Sequence, residues 1–224
     1  MTERITFQTT DRVEIVGDYY PVAGPAEAGV LFLHMMPADR SSWQSLASKF
    51  KAAGFSCLAI DLRGHGESVN KDGQTLDFHL FSDQDHQASR LDVEAAANWL
   101  INHGTRPDRL IIVGASIGAN LALEFLANPP ASPAAAALSP GLDYHGVKTE
   151  PAVRKMHAQQ SLFLAASRED EYSAESAQKL YAVIEAVPKE LKLFQGAGHG
   201  TAMFAAQPEL EQTIVTWVAS QLAK

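Results

Sequence analysis

Cysteine is almost missing from this chain: Cys57 is the only one in 224 residues, so no internal disulfide can staple the fold. Basic charge is also in short supply, with 18 Lys and Arg against 26 Asp and Glu and a formal net charge of -8. That balance gives no electrostatic footprint for nucleic acid or for an anionic membrane. No apolar run approaches the roughly 18 residues a membrane helix needs; the alanine-rich residues 131–138 are short and sit among prolines. Residues 1–11 carry Glu3, Arg4 and Asp11 where a signal peptide would have its apolar centre, so a cytoplasmic protein that does not bind membranes is expected. Repeats and low-complexity linkers are absent as well; residues 127–133 (Ala-Asn-Pro-Pro-Ala-Ser-Pro) read as a stiff connecting loop.

What is present is apolar content, 46% of the chain, and an alternation of two periodicities. At this length the composition can bury a substantial core, and one domain over residues 1–224 is expected. Residues 5–9 and 13–20 read as an antiparallel hairpin that exits through Pro21, Gly24 and Pro25. Residues 29–34, 56–61, 110–113, 134–139, 161–166 and 191–194 are short apolar runs suited to buried strands. Between them, residues 42–53, 89–103, 117–127, 173–187 and 208–222 carry apolar side chains at helical spacing. The implied fold class is α/β: eight strands in a mostly parallel sheet, helices on both faces, and only a short cap-like insertion at about 140–160. Catalytic groups then belong on loops at the carboxyl ends of the strands.

One such end carries Gly114-Ala115-Ser116-Ile117-Gly118, directly behind the run Leu110-Ile111-Ile112-Val113. A buried strand that reverses into a helix within a few residues has no room for side chains flanking the corner, so glycines sit two positions either side of the serine and its hydroxyl is thrust outward. The pentapeptide alone also describes an ordinary Gly/Ser turn; its place between a β-branched strand and a helix former is what marks Ser116 as a nucleophile.

Further motifs follow the strands in order: Leu33-His34-Met35-Met36-Pro37, Asp61-Leu62-Arg63-Gly64-His65-Gly66-Glu67-Ser68, the Ser116 turn, Asp170, and Gly198-His199-Gly200. In this arrangement the chain resembles the α/β-hydrolase family over essentially its whole length, and specifically its compact serine carboxylesterase or dienelactone-hydrolase-like branch, with serine where dienelactone hydrolases use cysteine. The resemblance implies the chain order nucleophile, acid, histidine, which Ser116, Asp170 and His199 satisfy. A neutral serine needs a base that takes and returns its proton, and an imidazole held in one tautomer by a carboxylate does this. Asp143, after the preceding strand, is a rival for the acid. Arg63 and His65 read as structural, shaping the turn after their strand.

Attack on a carbonyl also requires donors for the developing oxyanion. The backbone N–H of Ile117 is one; by resemblance the second comes from the loop after His34, where the family commonly has His-Gly and this chain leaves the choice between Met35 and Met36, with Met36 preferred. Met35, Tyr144, Met156, Met203 and Phe204 are candidates for lining the substrate pocket, and each suits the core equally well. The expected activity is a serine hydrolase that cleaves small to medium carboxylic esters through an acyl-enzyme, using no metal or organic cofactor. A thioesterase, amidase or short-peptide hydrolase on the same triad is the alternative within enzymes, and a non-catalytic ligand-binding relative of the fold the alternative outside them. The expected partner is a small-molecule ester; exposed edge strands leave a homodimer open.

Overall fold

The computed structural model describes residues 1–24, 27–128, 132–185 and 187–223. Pro25 and residues 129–131, on which the expected hairpin exit and stiff loop partly rest, lie outside them. The elements run β1 (Glu3–Gln8), β2 (Val13–Tyr20), β3 (Gly29–Leu33), α1 (Gln44–Ala52), β4 (Ser56–Ile60), β5 (Asn70–Lys71), β6 (Gln74–Thr75), α2 (Asp83–Gln87) and α3 (Arg90–Asn102). They continue with β7 (Leu110–Ala115), α4 (Ile117–Leu126), β8 (Ala134–Leu138), β9 (Asp143–Tyr144), β10 (Val147–Lys148), α5 (Glu150–Val153) and β11 (Ser161–Ser167). The last are α6 (Glu171–Val183), β12 (Lys189–Phe194), α7 (Met203–Ala206) and α8 (Glu209–Leu222).

The sheet order is β12-β11-β8-β7-β3-β4-β2-β5-β6, with β1 paired to β2. From β12 to β4 every pairing is parallel, and β2 adds antiparallel to β4. β3, β4, β7, β8 and β11 are buried along their whole length, which is why they read as continuous apolar runs: helices cover both sides of a parallel sheet. On one face Leu46 and Phe50 of α1 pack with Ile214 and Val218 of α8 around Phe32 and Val113. On the other, Val93 and Leu100 of α3 and Leu121 of α4 cover Leu31, Leu58 and Ile112, and Ala177 and Leu180 of α6 cover Leu162 and Leu164.

The fold class is as expected, and the strand count is not. Among the described residues the main sheet has ten strands, not eight, and β9 and β10 form a separate two-stranded sheet. The additional strands are each two residues long and mostly polar, too short for any period to show. α6 starts and stops earlier than residues 173–187 suggest. Glu171 joins its first turn, where a carboxylate suits the helix dipole, and Lys189 reaches back to donate to the carbonyl oxygens of Tyr181, at 2.6 Å, and Ile184.

Candidate active site

The turn after β7 is as tight as its glycines imply. A Cβ at Gly114 would stand 2.1 Å from the Gly118 carbonyl oxygen, so helix and strand touch backbone to backbone there. Ser116 at the corner has φ 54° and ψ -122°, a conformation that costs a non-glycine residue about 1–3 kcal/mol. The neighbours hold it in place: Ser116 N–H donates to the Leu138 carbonyl at 2.9 Å, and the Ser116 carbonyl accepts from Ala119 and Asn120 at 2.9 and 3.1 Å. Those two bonds open α4 and leave the Ile117 N–H without a partner among the described residues, at the positive end of the helix dipole.

Asp170 and His199 meet across neighbouring strand ends. His199 Nδ1 lies 2.6 Å from Asp170 Oδ2, with the histidine on the loop after β12 and the aspartate on the loop after β11. That bond puts the proton on Nδ1 and leaves Nε2 bare, the form a base requires. The histidine loop is drawn toward Ser116 because Gly200 N–H donates to Ser139 Oγ at 2.9 Å. A Cβ at Gly200 would lie 3.3 Å from that of Ala115, the residue before the serine, so the loop rests on the corner itself. Asp143, the rival acid, is exposed and uses its carboxylate to accept from Gly146 N–H at 2.6 Å in the turn between β9 and β10.

The loop after β3 is braced from beneath. His34 is fully buried; its Nε2 accepts from Leu62 N–H at 2.9 Å, so Nδ1 carries the proton and donates to the Met35 carbonyl at 2.9 Å. Burial pushes its pKa down to about 4, keeping the ring neutral. The N–H groups of Met35 and Met36 have no partner among the described residues. Met35 faces the histidine loop: its sulfur would stand 2.5 Å from a Cβ at Gly200 and lies 3.9 Å from Thr201 Oγ1. Met36 packs instead toward the cluster around Leu31 and Ile117.

The loop after β4 is held by buried charge, in keeping with the structural reading of Arg63 and His65. Arg63 is paired with Asp92 at 2.8 Å and Asp11 at 2.9 Å. Asp61, wholly buried, accepts from Glu67 N–H at 2.8 Å and from the Arg40 guanidinium. His65 stacks on Phe78 at 3.9 Å and meets His34 edge to face at 4.9 Å.

The pocket candidates separate. Tyr144 packs, partly buried, against the cluster that contains Ile117, its hydroxyl 3.0 Å from Ser173 Oγ. Met203 is fully buried among Leu210 and Ile214, so it fills core and no substrate reaches it. Phe204 packs edge to face on Trp43 at 6.0 Å, at the rim of that same core. Met156 lines a cavity of about 270 Å³ with Val153, Val183 and Ile184, none of them a triad neighbour. A groove of about 600 Å³ between α3 and α4, lined by Arg90, Glu94, Leu121 and Glu124, likewise contains no triad residue. Asn120 was not singled out from the sequence: fully buried, it donates to the Val147 carbonyl at 2.8 Å and accepts from Gly141 N–H at 3.0 Å. Its signal is present, as the one amide in the first turns of a mostly apolar helix. Among the described residues no group of three or more His, Cys, Asp or Glu could hold a metal ion, and no helix is long and apolar enough to cross a membrane.

Residues 30–217 match a family model described as the alpha/beta hydrolase family. The bifunctional esterase/perhydrolase DCH of Acinetobacter calcoaceticus is 34% identical over 131 residues, 58% of this chain, and the match spans 41% of that relative's length. Among solved structures, an esterase of Pyrococcus furiosus superposes with a TM-score of 0.78 at 17% identity, covering 98% of this chain and 92% of that one. The hydrolase GrgF from Penicillium sp. sh18 gives 0.81 at 14% identity over 100% of both chains. A dienelactone hydrolase from Anabaena variabilis gives 0.69 at 16% identity over 99% and 97%. At such identities the likeness to these structures is one of fold.

Proposed function

The chain belongs to the alpha/beta hydrolase family, and on that premise we propose that it is a serine hydrolase that cleaves small to medium carboxylic esters through an acyl-enzyme. Ser116 is the nucleophile, His199 the general base and Asp170 the carboxylate that orients it. His199 Nε2 takes the Ser116 proton as Oγ bonds the acyl carbon, then returns it to the departing alkoxide. The carbonyl oxygen, negative in the tetrahedral intermediate, sits between the N–H groups of Ile117 and Met36. Water then repeats the sequence on the acyl-enzyme and frees the acid.

The observation that carries this reading is the 2.6 Å bond between Asp170 and His199 on loops beside the positive-φ corner at Ser116. The name of the Acinetobacter relative supports ester substrates. Access supports a small-molecule substrate: the His199 side chain is 37% exposed, and the segment between β8 and β11, residues 139–160, is short. A fluorophosphonate probe should label the wild-type chain and leave Ser116→Ala unlabelled, and Ser116→Ala should lose turnover of short p-nitrophenyl esters. Labelling that persists in the variant would overturn the assignment. A matched panel of esters, thioesters and amides should show esters turned over fastest.

A further inference from the structure

Three glycines surround His199: Gly196, Gly198 and Gly200, all with positive φ, at 63°, 80° and 57°. Glycine adopts such a conformation without strain and without any preference for it, so the loop's own residues do not fix where the imidazole stands. Asp170 meets only the far end of that side chain, at Nδ1. The backbone on either side of the histidine has to be held from outside the loop.

Two serine hydroxyls hold it. Two residues before His199, Ala197 N–H donates to Ser167 Oγ at 2.9 Å; one residue after it, Gly200 N–H donates to Ser139 Oγ, also at 2.9 Å. Both serines are wholly buried, and so are Ala197 and Gly200, so each bond is made where an unpaired N–H would be costly. Ser139 directly follows Leu138, whose carbonyl takes the Ser116 N–H, and its own N–H donates to the Ala165 carbonyl of β11 at 2.7 Å. Ser167 ends β11: its carbonyl accepts from Asp170 N–H at 3.1 Å, and its hydroxyl donates to Glu169 Oε2 at 2.7 Å, which leaves the oxygen's lone pairs for Ala197. The first serine thus ties the histidine loop to the nucleophile's corner and the second ties it to the acid's loop. Ser139 does this at φ 49°, where glycine would sit more easily; what serine adds there is the hydroxyl.

We propose that Ser139 and Ser167 are positioning residues for the general base: together they clamp the backbone on both sides of His199 and so hold its Nε2 toward Ser116 Oγ. The role rests on the serine-hydrolase reading above. Neither hydroxyl touches substrate or transfers a proton. Removing either one frees one side of the loop to turn about its glycines, and the imidazole drifts from the line of proton transfer. A misplacement of about 1 Å can slow a reaction by up to about 10²-fold. The loss falls on the chemical step, so kcat should drop while KM holds.

Inactivation by a fluorophosphonate probe isolates the base, because Oγ bonds phosphorus, fluoride departs and the Ser116 proton passes to His199 Nε2. The measurements are the second-order inactivation rate and the final label per chain, counted by intact mass, in wild type, Ser139→Ala, Ser167→Ala, the double variant and Ser116→Ala. Each single serine variant should end fully labelled yet react about tenfold more slowly, as loss of one hydrogen bond predicts. On p-nitrophenyl esters its kcat should fall by a similar factor with KM within about twofold of wild type. Since the two bonds hold one loop, the double variant should be slowed by less than the product of the single effects. Ser139→Gly accepts the positive φ freely and should be slowed as Ser139→Ala is; it carries the test if Ser139→Ala melts appreciably earlier than wild type. Wild-type inactivation rates, a reduced label count at an unchanged rate per labelled chain, or a double variant slowed by the full product would overturn the clamp. If Ser116→Ala still takes the label, the serine-hydrolase reading itself fails; if Ser116→Ala stays unlabelled and the other variants react at the wild-type rate, only the clamp does.

Discussion

Gly118 is pressed onto the end of β3: a Cβ there would stand 2.3 Å from the Leu33 carbonyl oxygen and 2.6 Å from that of His34. This approach joins the nucleophile's helix to the loop that carries Met36, and so sets the spacing of the two proposed oxyanion donors. Gly118→Ala must push strand and helix apart. Overpacking of this kind costs about 1–3 kcal/mol, so the urea midpoint should fall. Ester turnover should fall further than the folded fraction, since the donors separate. A variant with wild-type stability and kcat would show that the contact is not rigid.

The Asp170–His199 bond makes a sharper prediction. Asp170→Asn keeps the size of the side chain but lets its amide donate to Nδ1, which selects the tautomer with the proton on Nε2, facing the serine. Turnover should drop on the order of 10⁴-fold with the melting temperature little changed, since Asp170 is partly exposed. Asp143→Asn, by contrast, should leave turnover within about twofold of wild type, because that carboxylate is engaged in the hairpin turn.

Legibility tracked the length scale of each constraint. The buried strands declare themselves because a strand covered on both faces must be apolar throughout, and the Ser116 corner because only glycine tolerates Gly114 against Gly118. The rest depended on partners distant in sequence. Met203 and Phe204 look like pocket residues after a histidine loop, yet α1 and α8 enclose one and Trp43 covers the other. Tyr144 is one candidate among five; its place against Ser173 depends on a hairpin held by Asn120 and Tyr172, and none of these residues has a periodicity that announces it. Likewise the Lys189 contacts that close α6 come from beyond the helix and leave no mark within it.

Arg63 illustrates a constraint that is chemical and not catalytic. Its guanidinium and backbone N–H supply the hydrogen bonds to the Asp92 carboxylate, which is wholly buried. Arg63→Met therefore strands a buried charge, and unfolding by urea should show a loss of about 3–5 kcal/mol. Arg63→Met combined with Asp92→Asn should recover part of that loss, because the uncompensated charge is gone. Additive losses in the double variant would contradict the pairing.

Stability should also depend on pH through two neutral buried histidines. His34 and His65 are both pushed down to about 4, chiefly by burial, from an ordinary value of 6.5. Between those values the unfolded chain binds a proton at each position and the folded chain does not. Their contribution is thus complete above about pH 6.5 and is lost as pH falls toward 4, by about 1.4 kcal/mol per pH unit for each ring. His86, lowered by burial and by the stacked His145, adds in the same direction. Asp92 opposes them: burial pushes it up to about 6, so the folded chain takes up that proton first. The net outcome is a urea midpoint that falls from pH 7 to pH 4.5. His65→Phe keeps a ring to stack on Phe78 and removes one titration, so the slope of stability against pH should decrease by about one proton between pH 6 and 4.5. An unchanged slope would mean that His65 is protonated in the folded state and that the stack with Phe78 does not exclude water.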